Sequence, residues 1–179
     1  EGTPRFFKPN YVGNLVSSWI PSLEEVEEKL KQGAKVADIG CGYGISTILM
    51  AKAYPNSKFY GFDNHGPSIE QAKEQVRKEE EKEGGRIGNI EFSSVSAKDE
   101  SIGNDYDLIT FFDCLHDMGD PVGAMKFAKQ SLKPDGTCMI IEPMANDKVE
   151  ENLNVVGRTF YAASTLVCVP NSLADKGPA

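Results

Sequence analysis

The sequence predicts an α/β protein built on a parallel, doubly wound sheet. Short apolar segments alternate with helical ones from Val36 to Ile141, and this alternation is typical of parallel sheets covered by helices. A glycine turn, residues 40–44, follows the first apolar segment, and Asp63 follows the second. Both lie at the carboxyl ends of predicted strands, where open α/β sheets bind ligands.

Residues 1–33 are interpreted as a lead-in and a first helix. The first 21 positions are rich in aromatic residues and proline and too short for a domain, so they form a linker or a lead-in helix. Ser22 and Glu25 have the spacing of a capping box, which predicts a helix that begins at Ser22 and ends at Gly33. Residues 34–179 are then assigned to the main domain.

Apolar, strand-compatible runs predict five strands, at residues 36–39, 58–62, 90–92, 106–112 and 137–141. Helical spacing predicts the intervening helices, at residues 45–54, 70–83 and 121–132, and a last helix at 154–169, ended by Pro170. Right-handed crossovers between parallel strands give the strand order 3-2-1-4-5.

The glycine turn has the pattern Asp-x-Gly-x-Gly-x-Gly, from Asp38 to Gly44. Glycines at these positions allow positive φ and let a ligand come close to the backbone. A dinucleotide fingerprint would place its last glycine at Ile45. The pattern therefore disfavours a nicotinamide-dependent oxidoreductase.

The pattern resembles the first motif of the class I S-adenosylmethionine-dependent methyltransferases, which have a Rossmann-like sheet. The resemblance implies S-adenosylmethionine as cofactor and S-adenosylhomocysteine as product. It places Asp63 at the ribose, where a carboxylate can accept two hydroxyl hydrogen bonds, and residues 96–99 at the adenine. Because class I sheets have seven strands, we expect the last two to be lacking here. The cofactor-binding residues so implied are Asp38, Gly40, Cys41, Gly42, Gly44, Asp63, Asn64, Ala97, Lys98, Asp99 and Asp113.

The whole chain also resembles a bacterial group of methyltransferase-like proteins that carry a winged-helix N-terminal domain. The stretches that carry this resemblance are Arg5–Pro9, Asp113–Pro121, Asn152–Asn154 and Tyr161–Leu166. It implies that an upstream winged-helix domain and the last two strands would complete the protein.

The run Leu115–Asp120, LHDMGD, resembles the LHDWSD stretch of small-molecule O-methyltransferases, whose histidine is the general base. The resemblance implies that His116 is a catalytic base for a hydroxyl acceptor, because imidazole has a suitable pKa near neutrality. A structural histidine is the alternative. The predicted helix at 154–169 would wall the acceptor pocket, with Arg158 and Tyr161 as substrate contacts.

Composition sets the remaining expectations. A net charge of −8 disfavours a nucleic-acid surface on this domain, and no apolar run is long enough for a membrane span. The four cysteines form no C-x-x-C pair, which favours reduced thiols in a cytoplasmic protein. The two histidines lack ligand spacing, so no metal site is expected. The expected partner is a small-molecule acceptor, a homodimer is left open, and a non-catalytic S-adenosylmethionine-binding module is the alternative function.

Overall fold

The computed structural model describes residues 2–95 and 102–177 and contains the predicted parallel sheet. Its strand order is β3-β2-β1-β4-β5, and all four neighbouring pairs are parallel. The fold class is therefore confirmed. The strands are β1 Lys35–Ile39, β2 Lys58–Asp63, β3 Ile90–Ser94, β4 Tyr106–Phe112 and β5 Leu132–Ile141.

Helices connect and flank the strands as the alternation predicted. Their bounds are α1 Gly2–Asn14, α2 Val26–Gln32, α3 Ile45–Ala53, α4 Gly66–Glu83, α5 Pro121–Ser131, α6 Val155–Leu166 and α7 Cys168–Ala174. Short π and 3-10 turns at Leu15–Trp19 and Ile20–Ser22 link α1 to α2, and 3-10 turns also lie at Leu115–Asp117 and Val149–Asn152. Within the described ranges, no helix combines the length and apolar character that crossing a membrane requires.

The lead-in segment packs into the core of the sheet domain. Tyr11, Leu15 and Ile20 are buried in one hydrophobic cluster with Val36 of β1 and Phe112 of β4. Burial of apolar surface in a shared cluster makes α1 part of the same folding unit. The boundary at residue 33 stays a prediction, but this packing runs across it.

Two predicted details are wrong. No capping box forms, because Ile20–Ser22 is a 3-10 turn in which the Ser22 hydroxyl donates to the carbonyl of Trp19. Glu25 takes a φ of 60°, and α2 begins only at Val26. In β5, which begins at Leu132, the register with β4 shifts between Leu132 and Thr137, so residues 133–136 are an irregular segment of this strand.

The second error concerns the last predicted helix, which is two helices. The chain breaks at Val167, between α6 and α7. Pro170 does not end a helix but lies in the first turn of α7, where its missing N–H breaks no intrahelical hydrogen bond. The result is that α7 is free to fold back onto the 3-10 turn Leu115–Asp117, against which it packs.

Strand register aligns the carboxyl ends of the strands. Ile39 of β1 pairs with Phe62 of β2 and with Phe111 of β4, and Phe112 pairs with Ile141 of β5. Because the residues that follow these pairs leave the sheet at one edge, the loops after β1, β2, β4 and β5 meet there. This edge carries the candidate site.

Candidate active site

The carboxylate of Asp63 ties the glycine turn to the end of β2. Its Oδ2 accepts a hydrogen bond from the backbone N–H of Gly42 at 2.9 Å, and its Oδ1 accepts one from the N–H of His65 at 2.8 Å. The N–H of Gly40 donates to the carbonyl of Phe62 at 2.8 Å. An ionised carboxylate has about four acceptor positions, so two remain for a ligand.

Two of the three glycines of the turn face the site. Gly42 has a φ of +52°, and a Cβ built there meets no atom within 4 Å, so open space lies in front of this backbone. Gly40 has a φ of +71° and packs against Cys114, whose Sγ would lie 2.6 Å from an added Cβ. Gly44 instead packs on Phe92, which would lie 2.5 Å from its Cβ. Gly44 therefore allows close packing against Phe92, and its contact with the cofactor stays a prediction.

Asp38, also predicted to bind the cofactor, lies away from the cavities. It is buried in β1 and lines none of the cavities described below. Its Oδ2 accepts hydrogen bonds from the hydroxyls of Thr47 and Ser46, at 2.6 and 2.7 Å, and its Oδ1 accepts one from Thr110 at 2.9 Å. Burial raises the pKa of Asp38, and these hydrogen bonds oppose the rise. Its role is to join α3 and β4 to β1.

Three cavities meet at Asp113, directly after β4. The largest, about 960 Å³, runs from Gly40 and Asp63 towards the C-terminal segment. The second, about 310 Å³, lies between α1 and the glycine turn. The third, about 570 Å³, is aromatic and is walled by Phe6, Phe7, Trp19, Phe160 and Met144. Asp113 borders all three, so it stands at the centre of the site.

Asp113 has an unusual backbone conformation and a hydrogen bond from α1. Its φ is +51°, a left-handed value that aspartate tolerates better than most residues but that still stores strain. Its Oδ2 accepts a hydrogen bond from the hydroxyl of Tyr11 at 2.6 Å. Burial raises the pKa of Asp113, which the Tyr11 hydrogen bond opposes, and burial together with this carboxylate raises the pKa of Tyr11.

His116 lies between two carboxylates. Its Nδ1 donates to Oε2 of Glu142, and its Nε2 lies 3.2 Å from Oδ1 of Asp117. Hydrogen bonding to Asp117 and then to Glu142 raises the pKa of His116 to about 11. The ring is therefore cationic at neutral pH in this arrangement and has no lone pair for a proton. The base role stays a prediction, and this geometry does not support it.

The other predicted site residues fall into three groups: residues on the cavity walls, residues outside the described part of the chain, and exposed residues on α6. The structure brings Gly40, Cys41, Gly42, Asp63, Asn64 and Asp113 to the walls of the cavities. Ala97, Lys98 and Asp99 lie outside the described residues. Arg158 and Tyr161 are exposed on α6 and line none of the three cavities, because the helix presents Phe160 there instead. The expected pocket contact from this segment thus comes from a different residue.

Several residues at the site carried no local signal in the sequence. Tyr11 reaches Asp113 from α1, and Asn171, Asp175 and Lys176 line the largest cavity from the C-terminal segment. Oδ2 of Asp175 accepts a hydrogen bond from the N–H of Gly119 at 2.9 Å, which fixes this segment over the loop after β4. Glu142 could have been found, because it directly follows β5 at the ligand edge of the sheet.

A family model described as a methyltransferase domain matches residues 30–171. This match covers most of the chain. The chain belongs to the methyltransferase domain family. A Schizosaccharomyces pombe protein described as an uncharacterized methyltransferase is 30% identical to this domain over 108 residues, 60% of this chain and 39% of its own length. The ubiquinone biosynthesis O-methyltransferase of Actinobacillus pleuropneumoniae is 30% identical over 132 residues, 73% of this chain and 53% of its own length.

A solved structure agrees with the sequence relatives. PKMT2 from Rickettsia typhi, in complex with S-adenosylhomocysteine, is 29% identical to this methyltransferase domain, with a TM-score of 0.52 over 62% of this chain and 21% of its own. The domain spans only about half or less of the curated relatives named here.

The site fits the cofactor of this family. Gly42 offers backbone with open space before it, and Asp63 keeps acceptor positions for ribose hydroxyls. S-adenosylmethionine is confirmed as the cofactor of this methyltransferase domain by the family match and the related structure. The assignment of Gly40, Gly42 and Asp63 as the residues that would hold it stays a prediction.

Proposed function

We propose that this domain transfers a methyl group from S-adenosylmethionine to a small-molecule acceptor. When bound, this cofactor supplies a methyl group already activated on a cationic sulfonium. The residues of the chain then need mainly to hold an acceptor in line and to exclude water. The observation that carries the proposal is the meeting of three cavities at Asp113, beside the glycine turn that Asp63 holds in place.

The charge of the cleft supports a cationic cofactor. Asp63, Asp113, Asp117, Asp120 and Asp175 line the largest cavity, where Lys176 supplies the opposite charge. A cleft lined mostly by one sign of charge attracts ligands of the other sign. The cationic cofactor is therefore favoured over its product, whose sulfur is neutral, and this difference helps product to leave.

The aromatic cavity is the proposed acceptor site. Phe7, Trp19 and Phe160 offer flat apolar surfaces, and Asp113 and Glu142 supply the polar side. Such a lining suits an acceptor with an aromatic or flat apolar body and one polar group, since pockets of this kind bind by apolar contact and orient by a few polar contacts. The relative named for ubiquinone biosynthesis, an O-methyltransferase, makes a hydroxyl the acceptor group to test first.

A hydroxyl acceptor needs a group that takes its proton. The earlier hypothesis assigns this to His116, whose ring would first have to leave Asp117 and Glu142. Asp113 is the competing candidate, since it borders the aromatic cavity and burial raises its pKa towards a value useful in a base. Loss of the residue that acts as base would lower methyl transfer by roughly 10²–10⁴-fold, and loss of His116 would leave cofactor affinity nearly intact.

The deciding experiment incubates the protein with S-adenosylmethionine and a panel of phenols and carboxylic acids, with mass spectrometry of the products. We expect a methylated phenol, and a rate that falls in Asp113→Asn or in His116→Ala according to which residue is the base. Trp19→Ala should raise KM for the acceptor and leave S-adenosylhomocysteine affinity unchanged. Binding of S-adenosylhomocysteine without turnover of any acceptor would support the non-catalytic module, and equal binding of NADH would refute the cofactor class.

A further inference from the structure

Three residues with metal-binding side chains converge at the end of β4. His116 and Asp117 lie in the 3-10 turn Leu115–Asp117, and Cys168 is the first residue of α7. One donor atom from each lies within 4.8 Å of the others. We propose that His116 Nε2, Asp117 Oδ1 and Cys168 Sγ bind a divalent metal ion, and that this ion is Zn²⁺.

The distances and the donor types suit zinc. Ligand atoms placed about 2.0–2.3 Å from a tetrahedral Zn²⁺ stand roughly 3.5 Å from one another. Nε2 of His116 and Oδ1 of Asp117 are already 3.2 Å apart. A set of one imidazole, one carboxylate and one thiolate is borderline in softness, which favours zinc over magnesium or calcium. Only a small movement of Cys168 is then needed to close the site.

Nδ1 of His116 has the kind of hydrogen-bond partner that is typical of metal-bound histidines. Its Nδ1 donates to Oε2 of Glu142. The other oxygen of Glu142 accepts hydrogen bonds from the backbone N–H groups of Leu115, at 2.7 Å, and Cys114, at 3.2 Å. Histidines that bind metals usually donate their other N–H to a carboxylate held in this way. Glu142 therefore fixes the ring so that Nε2 points to Asp117.

Asp117 shows what the ion would supply. Its Oδ1 is buried and lies 3.2 Å from Nε2 of His116. Glu142 contacts the other nitrogen of the same ring, so two carboxylates share a single imidazole and the cluster is short of positive charge. A divalent ion that replaces the proton on Nε2 would bind Oδ1 as well and reduce that imbalance.

Three protein ligands leave a fourth position for water, as in zinc sites that are not fully closed by protein. Asp117 also lines the largest cavity, so the ion would adjoin the cofactor cleft. It would also join α7 to the loop after β4. Binding of the ion does not depend on methyl transfer, so its test is separate from the test of the proposed function.

The test is a titration of the metal-free protein with Zn²⁺, in competition with a chromophoric chelator, and with Co²⁺ as a spectroscopic probe. We expect one ion per chain, tetrahedral visible bands for Co²⁺ and a thiolate-to-cobalt charge-transfer band in the near ultraviolet. Cys168→Ser should abolish that band and weaken Zn²⁺ binding. Glu142→Gln should weaken it by roughly 10–100-fold, because outer-shell partners of ligands have effects of that size.

Cys138→Ser is the matched control, because Cys138 is a half-buried cysteine on β5 outside the cluster. It should keep both the band and the affinity. Absence of the charge-transfer band in the unmodified protein would overturn the proposal without any variant. So would wild-type Zn²⁺ affinity in Cys168→Ser, or loss of binding in Cys138→Ser.

Discussion

Replacing Asp63 by Ala tests the cofactor site at its most connected residue. The carboxylate already accepts one backbone hydrogen bond on each oxygen, from Gly42 and from His65. Its two remaining acceptor positions are those available to the ribose hydroxyls. The substitution therefore removes both ligand contacts and, at the same time, the link that holds the glycine turn against β2.

The expected loss follows from these contacts. A hydrogen bond to a charged group contributes ~1.5–3 kcal/mol, so two such bonds amount to ~3–6 kcal/mol. Since each ~1.4 kcal/mol is a factor of ten, affinity for S-adenosylhomocysteine should fall by at least ~10²-fold. Isothermal titration calorimetry measures this directly. Asp63→Asn should also be impaired, because its amide N–H₂ would face the N–H of either Gly42 or His65.

Asp135→Asn is the control for this experiment. Asp135 is exposed and pairs with Lys29 at 2.8 Å, away from the cleft. Its affinity for S-adenosylhomocysteine should equal that of the unmodified protein. A folded Asp63→Ala protein that binds S-adenosylhomocysteine within about twofold of the unmodified protein would refute the assignment of the ribose to Asp63.

Two further predictions concern stability. Gly44→Ala should lower the free energy of unfolding by more than Gly84→Ala does. Both glycines have positive φ, but of these two only Gly44 would bring its new Cβ against a side chain, that of Phe92 at 2.5 Å. We expect urea unfolding to show a loss in free energy of unfolding of ~1–2 kcal/mol for Gly84→Ala and ~1–3 kcal/mol more for Gly44→Ala. Equal losses in the two variants would contradict the packing role of Gly44. Tyr11→Phe should cost ~1.5–3 kcal/mol near neutral pH, because it removes a hydrogen bond to ionised Asp113. That bond opposes the raised pKa of Asp113, so the loss should shrink as pH falls through the pKa of Asp113 in the folded protein, and a loss that grows in acid would show the sign to be wrong.

The framework of the site was predictable because it depends on local pattern and on one general rule of topology. Apolar runs located the five strands, and crossover handedness gave their order. Carboxyl ends of parallel strands meet at one edge, so the residues after β1, β2 and β4 had to lie together. Gly42, Asp63 and Asp113 were found in this way, and each lines the cleft.

The remainder depends on contacts between distant parts of the chain. Asp38 and Gly44 match the ligand motif by their positions in the sequence. In the fold, however, the Asp38 side chain is hydrogen-bonded to α3 and Gly44 packs against Phe92, and motif spacing does not predict either contact. Cys168 reaches His116 only because the chain breaks at Val167 and α7 folds back. The spacing of the two histidines could not predict this cluster, because it contains only one of them, together with the adjacent Asp117 and a cysteine that is distant in sequence.

The position of Trp19 has a practical consequence. It is the single tryptophan of the chain, it lines the aromatic cavity, and its ring meets that of Tyr11 edge to face at 6.3 Å between centroids. Indole emission responds to the polarity and the contacts of its surroundings, and within these 179 residues it comes from one known place. An acceptor that displaces water from the cavity should shift that emission without any label.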